Sequence, residues 1–374
     1  MSKEIQQIIS KVNDLAAGTE AVLATVVDVR GSGYRLPGAR MLMLSDGETF
    51  GTVSGGCLEA DVLERAKKVL ETGRSEVFKY DTTADENSVF SMNMGCRGVM
   101  RILIEPVGKN AGIIAKLYEV NKKRHPLVAA VVVNAGHTSL AIGERVYFGE
   151  ANDADFDDPH LLLETAPQLR DDLFTFGGST STFETIEYEV DGEIVEFAFE
   201  TLRPPVQLLI LGAGADAVPL AVIAHEIGWQ VRVYDHRPAF LTKERFPNAD
   251  ELVMLNRDAK AAVEADNLTA IVAMNHNYDR DKALIAAALH TDAFYLGALG
   301  PKKRTSQILD ELKERGEQFE PSQMTKLRSP AGLDIGGDSP ETIAVSIIAE
   351  IQSVLKHRNG GPLLAREAPI YDRK

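Results

Sequence analysis

The chain has 374 residues, 44% hydrophobic and 25% charged, a composition typical of a globular protein with room for about two domains. Its net charge of −15 argues against nucleic acid and anionic membranes as partners, because both reward clustered cations. Two cysteines, Cys57 and Cys96, cannot build a disulfide framework. With no apolar run of the roughly 20 residues a bilayer needs and no signal-peptide core in MSKEIQQIISKVNDL, they place the chain in a reducing cytoplasm.

Ser2–Ala17 carries Ile5, Ile8, Ile9, Val12 and Leu15 at helical spacing and ends at Gly18. Strands are expected at Glu20–Val29, Ala39–Leu44 and Thr49–Val53, the last two joined by an Asp46-Gly47 hairpin signal. A helix over Leu58–Glu71 closes at Gly73. Val77–Tyr80 reads as a short strand, Asp81–Arg97 as a polar irregular stretch and Val99–Val107 as a strand. A helix over Asn110–Lys123 leads to the apolar run Leu127–Val133, and Leu140–Phe148 reads as a strand with a bend at Gly143. Asn152–Asp158 is an acidic loop and Pro159–Asp172 reads as helix. Phe183–Val190 and Glu193–Thr201 form a hairpin about Asp191-Gly192.

The two prolines of 202–205 cannot extend a sheet ladder, so this stretch is read as the linker between domains at 1–201 and 206–374. Beyond it, strand and helix alternate. Strands at Val206–Leu211, Gln230–Tyr234, Glu251–Leu255, Ala270–Ala273 and Ala293–Leu296 are separated by helices, and a long helix covers Pro340–His357. The fold class is therefore α/β: an N-terminal α+β domain followed by a Rossmann-like, doubly wound parallel sheet.

The stretch Val26–Ala60 holds two glycine turns, Gly31-Ser32-Gly33 and Ser54-Gly55-Gly56-Cys57. The second opens into a helix, so Cys57 sits where unpaired backbone N–H groups create positive potential and activate a thiol. Gly55 and Gly56 strip bulk from around it. The competing reading is a small buried hydrophobe. Arg30 and Arg40 flank the first turn, beside Ser32 and Gly33, and either meet an anionic ligand or pair with acidic neighbours. Cys96 also lies beside glycine and would share a sulfur or metal task if it is close to Cys57. Two sulfurs do not complete a structural zinc site, so no metal site is assigned.

In the second domain, Gly212-Ala213-Gly214 follows a strand and precedes a helix, with Asp235 placed 23 residues beyond Gly212, where an acidic group would meet a ribose hydroxyl. Asp216 in that turn would repel a pyrophosphate, or else it caps its own helix. Arg237 either meets an extra phosphate or is a surface residue. His276 and Asp279 sit past a strand end, the ligand edge of open α/β sheets. His276 can handle a proton there, and Asp279 can orient it or cap the helix. Gly297, Gly300, Lys302 and Lys303 combine glycines, a helix start and cations into an anion site, against the reading of a solvated basic turn.

Together these segments resemble the XdhC/CoxI family, the xanthine dehydrogenase accessory factors. The resemblance is carried by RGSGYRLPGARMLM, GTVSGGCLEADV and GCRGVMRILIEPV, then by LLILGAGADAVPLAVIAHEIGWQVRVYDHRPAF, MNHNYD, YLGALGPKKR and SPAGLDIGGDSPETIAVSIIAEI. It implies a cytoplasmic factor that binds molybdenum cofactor (molybdopterin), supports its sulfuration and delivers it to a xanthine dehydrogenase-type hydroxylase. It also implies a homodimer and a cysteine desulfurase as a further partner. Such proteins bear xanthine dehydrogenase names without being the catalytic component. Two other readings stay open: an NAD(P)-dependent oxidoreductase using the C-terminal domain, and a docking module with no ligand of its own.

Overall fold

The computed structural model describes residues 1–16, 19–31, 35–81, 98–108, 112–149, 168–179, 181–255, 263–275, 277–368 and 370. Ser32, Gly33, Cys96 and His276, together with the polar stretch after Asp81 and the acidic loop 152–158, lie outside them. The chain divides into two compact units, one essentially residues 3–204 and the other 205–374. None of the described helices is long and apolar enough to cross a membrane.

The first unit holds two antiparallel sheets. One has the order β3-β2-β1-β5-β4, built from β1 (Ala21–Gly31), β2 (Arg40–Leu44), β3 (Thr49–Gly51), β4 (Glu76–Asp81) and β5 (Gly98–Val107). The other has the order β7-β6-β9-β8, from β6 (Leu127–Asn134), β7 (Arg145–Gly149), β8 (Phe183–Val190) and β9 (Glu193–Leu202). The central strand β1 reads AVLATVVDVRG because both its faces are covered. Val22, Ala24 and Val26 pack under Val62, Ala66 and Val69 of helix α2 (Glu59–Thr72). Ala21 and Leu23 instead join α1 (Lys3–Asp14) and α3 (Gly112–Lys123). Each such aliphatic side chain taken fully from water contributes about 1.5–3 kcal/mol. Gly73 ends α2 in the left-handed region at φ 65°, as a helix-stopping glycine should.

The two sheets meet through Val27 and Leu103 on one side and Val131, Val133 and Ala198 on the other. Three arginine–glutamate pairs span the same seam. Arg40 forks onto Glu200 at 2.9 and 2.5 Å, Arg145 onto Glu105 at 2.5 Å through both terminal nitrogens, and Arg101 onto Glu196 at 2.8 Å. In a region this buried, losing one partner strands the other charge at a cost of about 3–5 kcal/mol.

Two expected elements of this unit differ most. The strand expected over 140–148 is only β7, because Gly143 (φ 92°) turns the chain while its N–H donates to Val132 O. A Cβ there would lie 2.8 Å from Ser75 Oγ. Of the helix expected over Pro159–Asp172, residues 159–167 lie outside the described residues; α4 covers Leu169–Gly177, five residues past the expected end, with Leu169, Leu173 and Phe176 on its buried face.

The second unit is a six-stranded parallel sheet of order β12-β11-β10-β13-β14-β15. Its strands are β10 (Gln207–Leu211), β11 (Gln230–Asp235), β12 (Glu251–Met254), β13 (Thr269–Ala273), β14 (Tyr295–Ala298) and β15 (Leu327–Arg328). Helices α5 (Ala217–Glu226) and α9 (Pro340–Leu355) join one core; α6 (Tyr278–Leu289) and α7 (Lys302–Glu314) join the other. The short α8 (Pro321–Thr325) precedes β15. The direction of winding reverses between β10 and β13, the point at which such sheets open a crevice at their carboxyl ends.

Candidate functional site

In the first unit the Ser54–Cys57 loop leaves Cys57 exposed, not sealed in the core. Gly55 (φ 80°) and Gly56 (φ 113°) adopt conformations that side chains resist, and a Cβ on Gly56 would meet nothing within 4 Å. The helix starts one residue later than expected, with Leu58 as its N-cap residue making no side-chain cap. Glu59 supplies the cap. Its carboxylate accepts from the backbone N–H of Ser54 (2.9 Å), Gly55 (3.1 Å), Gly56 (2.8 Å) and Leu58 (3.2 Å), and from the hydroxyls of Thr52 and Ser54. The positive N–H groups that the sequence directed at Cys57 therefore converge on Glu59. Partial burial pushes the Glu59 carboxyl upward, but the hydrogen bonds from Ser54 and Thr52 outweigh it and bring its pKa to about 2.

The arginines that flank the first glycine turn are engaged within the unit. Arg40 is 2% exposed and bound to Glu200 and to Gly38 O, so the acidic-neighbour reading describes it and a ligand does not reach it. Arg30 is exposed, with its Nε 3.1 Å from Asp28.

At the carboxyl edge of the second unit's sheet, Gly212 (φ 125°) begins the turn. A Cβ there would stand 2.9 Å from Met274 O and 3.0 Å from Asn275 N, so this glycine permits β10 and β13 to end against each other. Asn275 ties the same place, donating from its side chain to Leu211 O at 2.8 Å. Its backbone N–H reaches Asp281 Oδ1 at 3.1 Å, and Asp281 pairs with Arg304 at 2.7 Å. Burial pushes the Asp281 carboxyl up, against the pull of Arg304.

Asp235 does not offer its carboxylate to a ribose. It is fully buried and accepts from the Ala213 N–H at 2.7 Å and from the Arg237 backbone N–H, Nε and Nη2 at 2.8, 3.0 and 2.8 Å. Burial pushes its pKa up, but the Arg237 guanidinium and the Ala213 N–H outweigh that and bring it to about 2. Asp235 thus pins the glycine turn. Asp216 stands at the N-cap position of α5 but makes no side-chain cap, so the capping reading fails.

The remaining candidates separate. Asn277, not Asp279, caps α6, accepting from the Arg280 N–H; Asp279 is exposed and 3.2 Å from Lys282. Gly297 is buried inside β14, where a Cβ would strike Tyr295 and Ala331, so packing explains it. Gly300 (φ 117°) turns the chain beside Arg304, and Lys302 and Lys303 are exposed in the first turn of α7.

Sequence reasoning passed over Glu59, Asn275, Asp281 and Arg245. Glu59 lies five residues after Ser54, outside the three-residue spacing of a capping box. Arg245, in the unremarkable segment LTKERF, donates to Ala213 O at 3.2 Å and sits over Phe240, as Arg237 does.

The family model described as the XdhC Rossmann domain matches residues 208–351, and that of the XdhC and CoxI family matches residues 14–81. A relative from Bacillus subtilis (strain 168), named as a probable xanthine dehydrogenase subunit, is 30% identical over 334 residues, covering 89% of this chain and 92% of that protein. The "Molybdenum cofactor insertion chaperone PaoD" of Escherichia coli (strain K12) is 27% identical over 347 residues, covering 93% and 87%. A crystal structure described as a xanthine dehydrogenase from Bacillus halodurans superposes with a TM-score of 0.70 at 26% identity, over 97% of this chain and 99% of that one. With this two-unit architecture and a match of this length at each end, the chain belongs to the XdhC and CoxI family.

Proposed function

We propose that this protein carries molybdenum cofactor as cargo, protects or assists its sulfuration, and delivers it to a molybdenum hydroxylase of the xanthine dehydrogenase type. The observation that carries the reading is end-to-end similarity to a relative named as a molybdenum cofactor insertion chaperone. Each unit, taken by itself, offers donors compatible with such a cargo. The exposed thiol of Cys57, freed of neighbouring bulk by Gly55 and Gly56, is a soft ligand of the kind transition metals take. Guanidinium groups at the second unit's glycine turn suit the phosphate of a pterin. Residues 1–201 and 206–374 are proposed as its domains, with a cysteine desulfurase as sulfur source and a homodimer in the cytoplasm as working form. The NAD(P)-dependent oxidoreductase reading loses its main residue, because Asp235 is consumed by Ala213 and Arg237.

The test titrates purified wild type and Cys57→Ala with the cofactor and then mixes each with apo-hydroxylase. Expected is retention lowered by about tenfold, one metal–ligand or charge-assisted contact's worth, with slower activation in the variant. Equal retention and equal activation would remove Cys57 from the mechanism.

A further inference from the structure

We propose that the glycine turn of the second unit binds a phosphate monoester, held by Arg237 and Arg245, and does not read a ribose diol. The carrier reading supplies only the identity of the natural ligand; the site itself stands on its own geometry. Both oxygens of Asp235 are already filled, so the group that would grip a ribose hydroxyl is closed to ligands. What the turn presents instead, on its arginine side, is one guanidinium without a counter-charge beside a second that is only partly committed. The guanidinium carbons of Arg237 and Arg245 lie 4.1 and 4.8 Å from the centre of the Phe240 ring. One aromatic side chain thus fixes two planar forks, which lowers the entropy lost when they close on an anion.

The two arginines are not equivalent. Arg237 is neutralised by Asp235, yet its side chain is 35% exposed and only two of its five side-chain N–H groups go to that carboxylate. Arg245 makes no ion pair among the described residues. Its Nη2 reaches only the carbonyls of Ala213 and Gly214, at 3.2 and 3.4 Å, the weak end of hydrogen-bond geometry. An uncompensated cation is therefore held against the backbone of the turn in a chain of net charge −15. On the helix side of the same turn stands the Asp216 carboxylate, which makes no cap bond and opposes an anion spread along the helix start. A compact dianion on the arginine side fits this distribution; the pyrophosphate bridge of a dinucleotide does not. Phosphate, like carboxylate, matches the guanidinium fork, and a phosphate monoester has oxygens and charge enough to meet two forks at once.

The test uses the full chain and two pairs of probes, each differing by one phosphate monoester: phosphorylated pterin released from a molybdenum enzyme against its phosphatase-treated form, and NADP against NAD. Expected is about tenfold or greater preference for the phosphorylated member of at least one pair. Arg237→Ala and Arg245→Ala should each shrink that preference to within about threefold, with Arg245→Lys intermediate because the charge stays and the fork goes. Thermal midpoints are followed in parallel, and Arg237→Lys, which keeps a cation beside Asp235, and Arg245→Lys give the answer where alanine costs the fold. Preference within the pterin pair supports both this site and the carrier reading. Preference only within the nucleotide pair keeps the site and removes its pterin. Equal binding within both pairs, no binding of any phosphorylated probe, or a preference that survives both alanine variants would overturn the site, while the Cys57 titration decides the carrier reading separately.

Discussion

Glu59 shows how one side chain can occupy the role a motif reserves for its neighbour. Four backbone N–H groups and two hydroxyls point to its carboxylate. Glu59→Ala should therefore destabilise the first unit by about 2 kcal/mol, the cost of a lost cap with several donors left unpaired. The sign of its pH dependence follows from a folded pKa of about 2 against an ordinary 4.5. The stabilisation is complete above about 4.5 and is lost as pH falls through about 2. Denaturant melts of wild type and Glu59→Gln across pH 2–6 should show a stability gap that is constant above about 5 and closes below 4.5. A gap independent of pH in that window would show that the carboxylate charge is not what the loop uses. Cys57 was visible in the sequence because glycines surround it; Glu59 was not, because its spacing from Ser54 matches no helix-start motif.

The element that fixes the second unit's ligand edge is the turn after β10. Gly212 lies at φ 125° with the backbone of Met274 and Asn275 against it, so Gly212→Ala meets both a strained dihedral and immovable atoms. We expect a loss of at least about 3 kcal/mol, read by denaturant unfolding, together with loss of any phosphate preference at Arg237 and Arg245. Wild-type stability would show that β10 and β13 can part there. Alternation of apolar runs with helical periods revealed five of this unit's six strands and its long helices, because each has a strong period; β15 and α8, two and five residues long, are too short to carry one. It did not reveal that Gly297 lies within β14 to admit Tyr295 and Ala331, since a packing glycine and a ligand-turn glycine look alike in a sequence.

Across the whole molecule, each of the two units has apolar clusters of its own. Calorimetry should therefore give a measured enthalpy larger than the van't Hoff value, the sign of more than one cooperative unit. Glu105→Gln, which strands Arg145 between the sheets of the first unit, should lower one component, and Gly212→Ala the other. A single transition shifted equally by both variants would mean that the chain melts as one body. The sequence alone determined the family, the α/β class, the parallel sheet and the glycine turns before α2 and α5, because periodicity, turn chemistry and ordered motifs are local properties of the chain. Which charges remain for a ligand was decided only by the tertiary structure. Arg40 meets Glu200 from 160 positions away, and Asp235 is claimed by Ala213 from 22. A carboxylate or guanidinium pairs with whatever the fold brings within about 3 Å, and no linear pattern records that distance.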